Sequence, residues 1–363
     1  MSRFGNGAFQ MTAIVGFLLI LVASFSALAE GVKSPGRNWT ESPAIVELDT
    51  HEDVYAVGDI HGDYETLAKL LAGGGIISNA ATRPEKVQWA AGKAVLICTG
   101  DLIDRSDHAL QVISCLQIMA DQAAKAGGRV IVTMGNHEMA FLATAGGDRI
   151  VKEFDKELET AGITPADVVA GRDSAGIGRY LLNLPLAARV NDWFFCHAGN
   201  THGLAIKELA ARMQAGIDTK GFAAPIVADP DSILQARMHP RPWWEAAATP
   251  ALKDAEEHPK DKSAGEKLLR GYVAALGVTH LVFGHQPKEV EFADKTHRQA
   301  GEMFTKFDGL IFMIDTGMSR GVDGNPGGLL KIHQAEGRTI VTAISADARA
   351  RSLWSGKAAS ASK

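Results

Sequence analysis

The chain has 363 residues, 46% of them hydrophobic and 22% charged, with a formal net charge of −5 and a pI near 6.2. This length and balance suit a soluble globular protein with a sizeable buried core, and they supply no basic face for a nucleic-acid partner. Three cysteines, Cys98, Cys115 and Cys196, allow at most one disulfide, and no Cys-x-x-Cys pair offers a thiolate site. Cys98 and Cys196 lie in apolar runs and read as buried small side chains.

Arg3 is the only charged side chain before Glu30. An apolar run, Ala13 to Ala23, follows it, and Ala27-Leu28-Ala29 has the small-x-small form of a signal-peptidase site. Residues 1–29 therefore read as a secretory signal, which places the mature chain in the periplasm or outside the cell. An uncleaved anchor helix is the alternative, with the mature domain itself outside the membrane. Residues 30–50 are polar, carry Pro35 and Pro43, and read as a leader before a domain spanning 51–346.

Within that domain Val54–Val57 reads as a strand running into Gly58-Asp-Ile-His-Gly62. A helix follows with Leu67, Leu70 and Leu71 on one face, ended by Gly73–Gly75. Ala94–Cys98 leads into Gly100-Asp-Leu-Ile-Asp-Arg105, and a helix spans about Asp107 to Ala126. Arg129–Thr133 leads into Gly135-Asn-His-Glu138, Trp193–Cys196 into His197-Ala-Gly199, and Thr279–Phe283 into Gly284-His285. Five apolar strands thus end in glycine-punctuated turns carrying Asp, Asn or His, which is how a sheet edge gathers a site. Leu310–Ile314, Gly328–Ile332 and Thr339–Ala343 read as antiparallel strands of a second sheet, residues 245–268 as a surface excursion, and 347–363 as a flexible tail.

Hydrolysis of a phosphate monoester needs a nucleophile at neutral pH beside an anion. Two divalent cations about 4 Å apart meet both needs, by acidifying a shared water and neutralising phosphate charge. They require oxygen and imidazole donors with one bridging carboxylate. Asp59 and His61, at i and i+2 beyond a strand, could share a face. Asp101, Asn136, His197 and His285 are the remaining candidates.

The five turn motifs together resemble those of the calcineurin-like metallophosphoesterases, and of the phosphoprotein phosphatase superfamily within them. Gly178-Arg-Tyr-Leu-Leu-Asn-Leu-Pro185 and Asp315-Thr-Gly-Met-Ser319 are similar to the bacterial Shewanella-like phosphatases. The resemblance covers roughly residues 50–345. It implies a four-layer αββα fold, with two mixed β-sheets packed as a sandwich and flanked by helices. It also implies two divalent metal ions (Mn, Fe or Zn) that activate a hydroxide. Asp59, His61 and Asp101 would hold the first, and Asp101, Asn136, His197 and His285 the second.

By the same resemblance His137 would protonate the leaving oxygen, oriented by Asp104, and Arg105 would grip phosphate. A second arginine is expected, with Arg237 the first choice and Arg241 the second. Asn136 would also face substrate. Three positions depart from the family: Ser106 and Ala198 stand where glycine is usual, and Gln235 where tryptophan is. Gly284-His-Gln-Pro287 lacks the second histidine usual in cyclic-nucleotide phosphodiesterases. The expected substrate is a phosphorylated protein or a small phosphomonoester. A dinucleoside polyphosphate hydrolase or nucleotidase, and a non-catalytic metal- or phospholigand-binding module, are the alternatives. His280 reads as structural, the other histidines as exposed, and Trp243-Trp244 either lines the substrate mouth or caps the core.

Overall fold

The computed structural model describes residues 36–144, 149–250 and 261–358. The segment read as a secretory signal and part of the 245–268 excursion lie outside these. Strands are numbered along the chain. One mixed sheet has the order β1 (Ile45–Leu48), β5 (Ala187–Val190), β6 (Trp193–Cys196), β7 (His280–Phe283), β11 (Ile311–Met313), β10 (Phe304–Lys306). The other has the order β14 (Ala350–Lys357), β13 (Arg338–Ile344), β12 (Leu329–Ala335), β2 (Val54–Val57), β3 (Val95–Cys98), β4 (Arg129–Val132). A short hairpin, β8 (Val290–Glu291) and β9 (His297–Arg298), follows β7.

The central strands are buried at every position, and apolar there except at His280, because both faces are covered. Alternate residues point to opposite sides. Val54, Ala56, Val95, Ile97, Phe195, Val282 and Phe312 meet between the sheets. Tyr55, Val57, Leu96, Cys98, Phe194, Cys196 and Phe283 pack instead with the helices outside. The expected αββα layering follows from this double burial. The helix Tyr64–Gly73 buries Leu67, Leu70 and Leu71 and is capped by the Asp63 carboxylate, which accepts from the Thr66 N–H at 3.1 Å. The helix Ala109–Ala126 ends at Gly127 with φ 82°.

Parallel pairing sets the positions of the site. β2, β3 and β4 run parallel in one sheet, and β6, β7 and β11 run parallel in the other. Their carboxyl ends meet at one rim of the sandwich, so the motif turns come from two sheets rather than from the edge of one.

Several expectations change. The leader supplies β1, which pairs in parallel with β5, and the tail supplies β14, which pairs with β13. Leu310–Ile314 does not join the strands after it. Its central residues form β11, parallel to β7, while β12 and β13 extend the β2 sheet. Trp243 and Trp244 are buried, with Trp244 against Phe283 and Phe292, so they belong to the core. His280 is buried and stacked on Trp193, as expected of a structural residue. All three cysteines are free and buried. Among the described residues no helix is long and apolar enough to cross a membrane.

Candidate active site

The rim turns are tightly wound. His61, Asp101, Asp104, Arg105 and His285 have φ of 48°, 52°, 69°, 67° and 65°, the left-handed region that non-glycine residues avoid. Each costs on the order of 1–3 kcal/mol and persists only where its surroundings fix it. Two glycines allow the crowding: a Cβ at Gly135 would overlap the Asp101 carboxylate, and one at Gly284 would overlap that of Asp59. Glu138, fully buried, accepts from the N–H groups of Asp101 (2.9 Å), Leu102 (2.8 Å), Ile103 (3.2 Å) and Gly135 (2.8 Å). Its carboxylate is the frame on which the Asp101 turn is built.

The turns bring six predicted donors together. Asp59, His61, Asp101, Asn136, His197 and His285 are all buried. Donor atoms of Asp59, Asp101, His197 and His285 lie within 4.8 Å of one another, as do those of His61, Asp101 and His137. Asp101 belongs to both groups. Its Oδ2 lies 3.5 Å from His61 Nε2 and 3.4 Å from His197 Nε2. Asn136 joins the larger group through its Oδ1, 3.0 Å from His197 Nε2. Asp59 belongs to the first group and His61 to the second, and Asp101 links the two.

The rings are oriented from behind. His197 Nδ1 lies 2.8 Å from the Thr99 carbonyl and His61 Nδ1 3.2 Å from that of Ile103, which leaves each Nε2 facing inward. The Asp59 carboxylate accepts from the His285 N–H. His285 Nε2 is buried without a protein partner.

Charge in the pocket is unbalanced. Burial pushes the Asp59 carboxyl well above the usual carboxylate range, and repulsion from Asp315 and Asp101 adds to this. Burial also acts against ionised Asp101, yet His197, His137 and His61 hold it well below that range. Burial lowers His61 to about 4 and keeps His285 far below the usual imidazole value. His197 is the exception: against burial, Asp101 and Asp59 raise it to about 10. Repelling carboxylates, neutral imidazoles and one orphaned ring nitrogen fit a divalent cation, which would also displace the His197 proton.

His137 stands apart. Its Nδ1 lies 3.2 Å from Asp104 Oδ2, and its Nε2 is 3.9 Å from Asp101 Oδ2. Burial opposes its charged form, but Asp101 and Asp104 outweigh burial and raise its pKa. Arg105 is exposed at the rim. Arg237 is also solvent-accessible; burial of part of its side chain lowers its pKa, Asp101 and Asp59 pull it up, and Arg105 pushes it down.

Sequence reasoning quoted Glu138 within its motif without giving it a task. It also missed Arg298, which is fully buried and donates to the carbonyls of Gln286, Lys288, Glu302 and Asp315. Arg298 thereby ties the loop after His285 to the loop after β11. A charged residue in the polar stretch 286–302 gave no signal of this.

A family model described as calcineurin-like phosphoesterase matches residues 53–289. Shewanella-like protein phosphatase 1 of Plasmodium berghei is 31% identical over 73% of this chain and 67% of its own. An uncharacterized protein of Schizosaccharomyces pombe is 27% identical over 80% of each chain. A crystal structure of a cold-active protein-tyrosine phosphatase of a psychrophilic Shewanella species shares the fold, with a TM-score of 0.63, 20% identity and 90% of each chain covered. The protein is thus a metal-dependent phosphoesterase, and the chain belongs to the calcineurin-like phosphoesterase family, on the branch that holds the Shewanella-like protein phosphatases.

Proposed function

We propose that this protein is a periplasmic phosphomonoesterase that removes phosphate from phosphorylated protein side chains with two bound divalent cations, Mn²⁺, Fe or Zn²⁺. The observation that carries the reading is the membership of Asp101 in both donor groups. One cation would be held by Asp59, His61 and Asp101 and the other by Asp101, Asn136, His197 and His285. When bound, the cations supply Lewis acidity, which neutralises phosphate charge and acidifies a water.

The residues of the chain supply the rest. Arg105 and Arg237 take non-bridging phosphate oxygens and turn the leaving group toward His137, with Asn136 beside them. His137 gives its proton to the departing oxygen. Asp104 keeps the ring in the orientation that allows this.

The names of the Shewanella-like relatives support a phosphoprotein substrate, while other relatives named symmetrical bis(5'-nucleosyl)-tetraphosphatase support the dinucleoside polyphosphate alternative, and the reading of residues 1–29 as a signal supports export. The test is turnover by the purified mature protein with Mn²⁺ on a phosphotyrosine peptide, a phosphoserine peptide and a dinucleoside polyphosphate. Hydrolysis of at least one peptide is expected. Hydrolysis of the polyphosphate alone would overturn the substrate assignment, and no turnover of any would favour a binding module. Cell fractionation should recover a chain beginning at Glu30 in the periplasm, and cytoplasmic full-length chain would contradict the location.

A further inference from the structure

Ser319 is fully buried, and its hydroxyl has three neighbours. The His61 carbonyl lies at 3.0 Å, Ser106 Oγ at 2.8 Å and the Gly321 N–H at 3.1 Å. A hydroxyl donates once and accepts twice. The His61 carbonyl can only accept and the Gly321 N–H can only donate. The Ser319 proton therefore goes to His61, and Ser106 must donate to Ser319. The bonds run in one direction, from the Ser106 hydroxyl through Ser319 to the backbone of the His61 turn.

Ser106 follows two residues in strained backbone, Asp104 and Arg105. Its own N–H reaches back to the Asp104 carbonyl at 2.8 Å and closes a tight turn around Arg105. That turn is pressed from both sides. A Cβ at Gly62 would come within 2.9 Å of the Ser106 carbonyl, and one at Gly321 would overlap the Arg105 carbonyl. Arg320 anchors the same loop, donating from its backbone N and its Nε to Asp63 Oδ2 at 2.9 and 3.1 Å.

We infer that Ser319 is a positioning residue for Arg105. Through Ser106 it fixes the turn from which the guanidinium reaches phosphate. The serine at 106, where the family usually has glycine, supplies the hydroxyl that makes this bridge. The inference rests on the phosphate grip assigned to Arg105 above.

The test compares KM, kcat and the inhibition constant for inorganic phosphate in the metal-loaded enzyme. The variants are Ser319→Ala, Ser106→Gly, Arg105→Ala and the double variant Arg105→Ala/Ser319→Ala. Loss of the bridge should raise KM and the phosphate inhibition constant about five- to tenfold, the scale of one hydrogen bond. The kcat should fall by a smaller factor than KM rises, because Arg237 still turns the leaving group toward His137. Once Arg105 is removed, Ser319→Ala should have no further effect on phosphate inhibition. Should Ser319→Ala destabilise the fold, the half-buried Ser106→Gly carries the comparison. Unchanged phosphate inhibition in both serine variants, or an equal effect of Ser319→Ala with and without Arg105, would overturn the bridge while leaving the Arg105 grip intact. Unchanged inhibition in Arg105→Ala would sink the grip and the bridge together.

Discussion

His137 Nδ1 faces Asp104 Oδ2 across 3.2 Å, and both atoms are buried with no other polar partner among the described residues. The other Asp104 oxygen accepts the Glu153 N–H at 3.0 Å, so the carboxylate is aimed before substrate arrives. The pair keeps a proton on Nδ1 and leaves Nε2 for the reacting side of the pocket. Asp104→Asn and His137→Asn should each lower kcat on an alkyl phosphate by about 10²-fold or more. The loss should be much smaller on p-nitrophenyl phosphate, whose leaving group needs no proton. Equal losses on the two substrates would argue against a proton donor.

The Glu138 carboxylate answers four backbone N–H groups. A glutamine there would turn an amide N–H toward one of those donors. Glu138→Gln should cost about 2–3 kcal/mol, the range for hydrogen bonds to a charged group, in urea unfolding. Because those donors shape the Asp101 turn, bound metal should fall with stability. Unchanged metal content would separate the frame from the site.

Arg37, in the segment read as a leader, is buried and donates to the carbonyls of Ser42, Pro43, Leu182, Asn183 and Leu184. It staples the entry of β1 to the turn before β5. Arg37→Met should destabilise the fold by about 2–4 kcal/mol, because buried carbonyls lose their donor. The kcat of the folded fraction should not change. A wild-type urea midpoint would contradict the staple.

Asp294 accepts from Lys306 and from Thr296. Burial opposes its charge, but these partners hold its pKa at about 2. The unfolded value is near 3.9, so the folded value is depressed. The stabilisation is therefore complete above about pH 4 and disappears as pH falls toward about 2. The difference in melting temperature between the wild type and Asp294→Asn should be constant from pH 7 to 5 and shrink below pH 4. A difference independent of pH would remove the ion pair from the stability of the fold. Asp294 is partly exposed, so the effect is small.

The site was legible where side-chain type and strand context coincided. Asp59, Asp101, His197 and His285 lie within three residues of the ends of strands buried on both faces, and such burial favours a largely apolar sequence. The exact placement of His61 beside Asp59 was not legible. Alternation at i and i+2 assumes extended backbone, and His61 has φ 48°, so the spacing alone does not fix where its ring lies. The edge strands were hidden because they look polar: β1 buries only Ile45 fully, and β14 is half-buried or exposed throughout. Sheet membership was hidden for another reason. An apolar run such as Ile311–Met313 carries no record of which distant strand it will pair with.

The central claim is that one buried carboxylate joins two cations. It is tested most directly by metal analysis of the purified mature protein after equilibration with Mn²⁺ and removal of free ion, for the wild type and for Asp101→Asn. The account predicts about two metal ions per wild-type chain, as in two-metal hydrolase sites, and fewer than about one in the variant. An Asp101→Asn chain that keeps the wild-type metal content would contradict it.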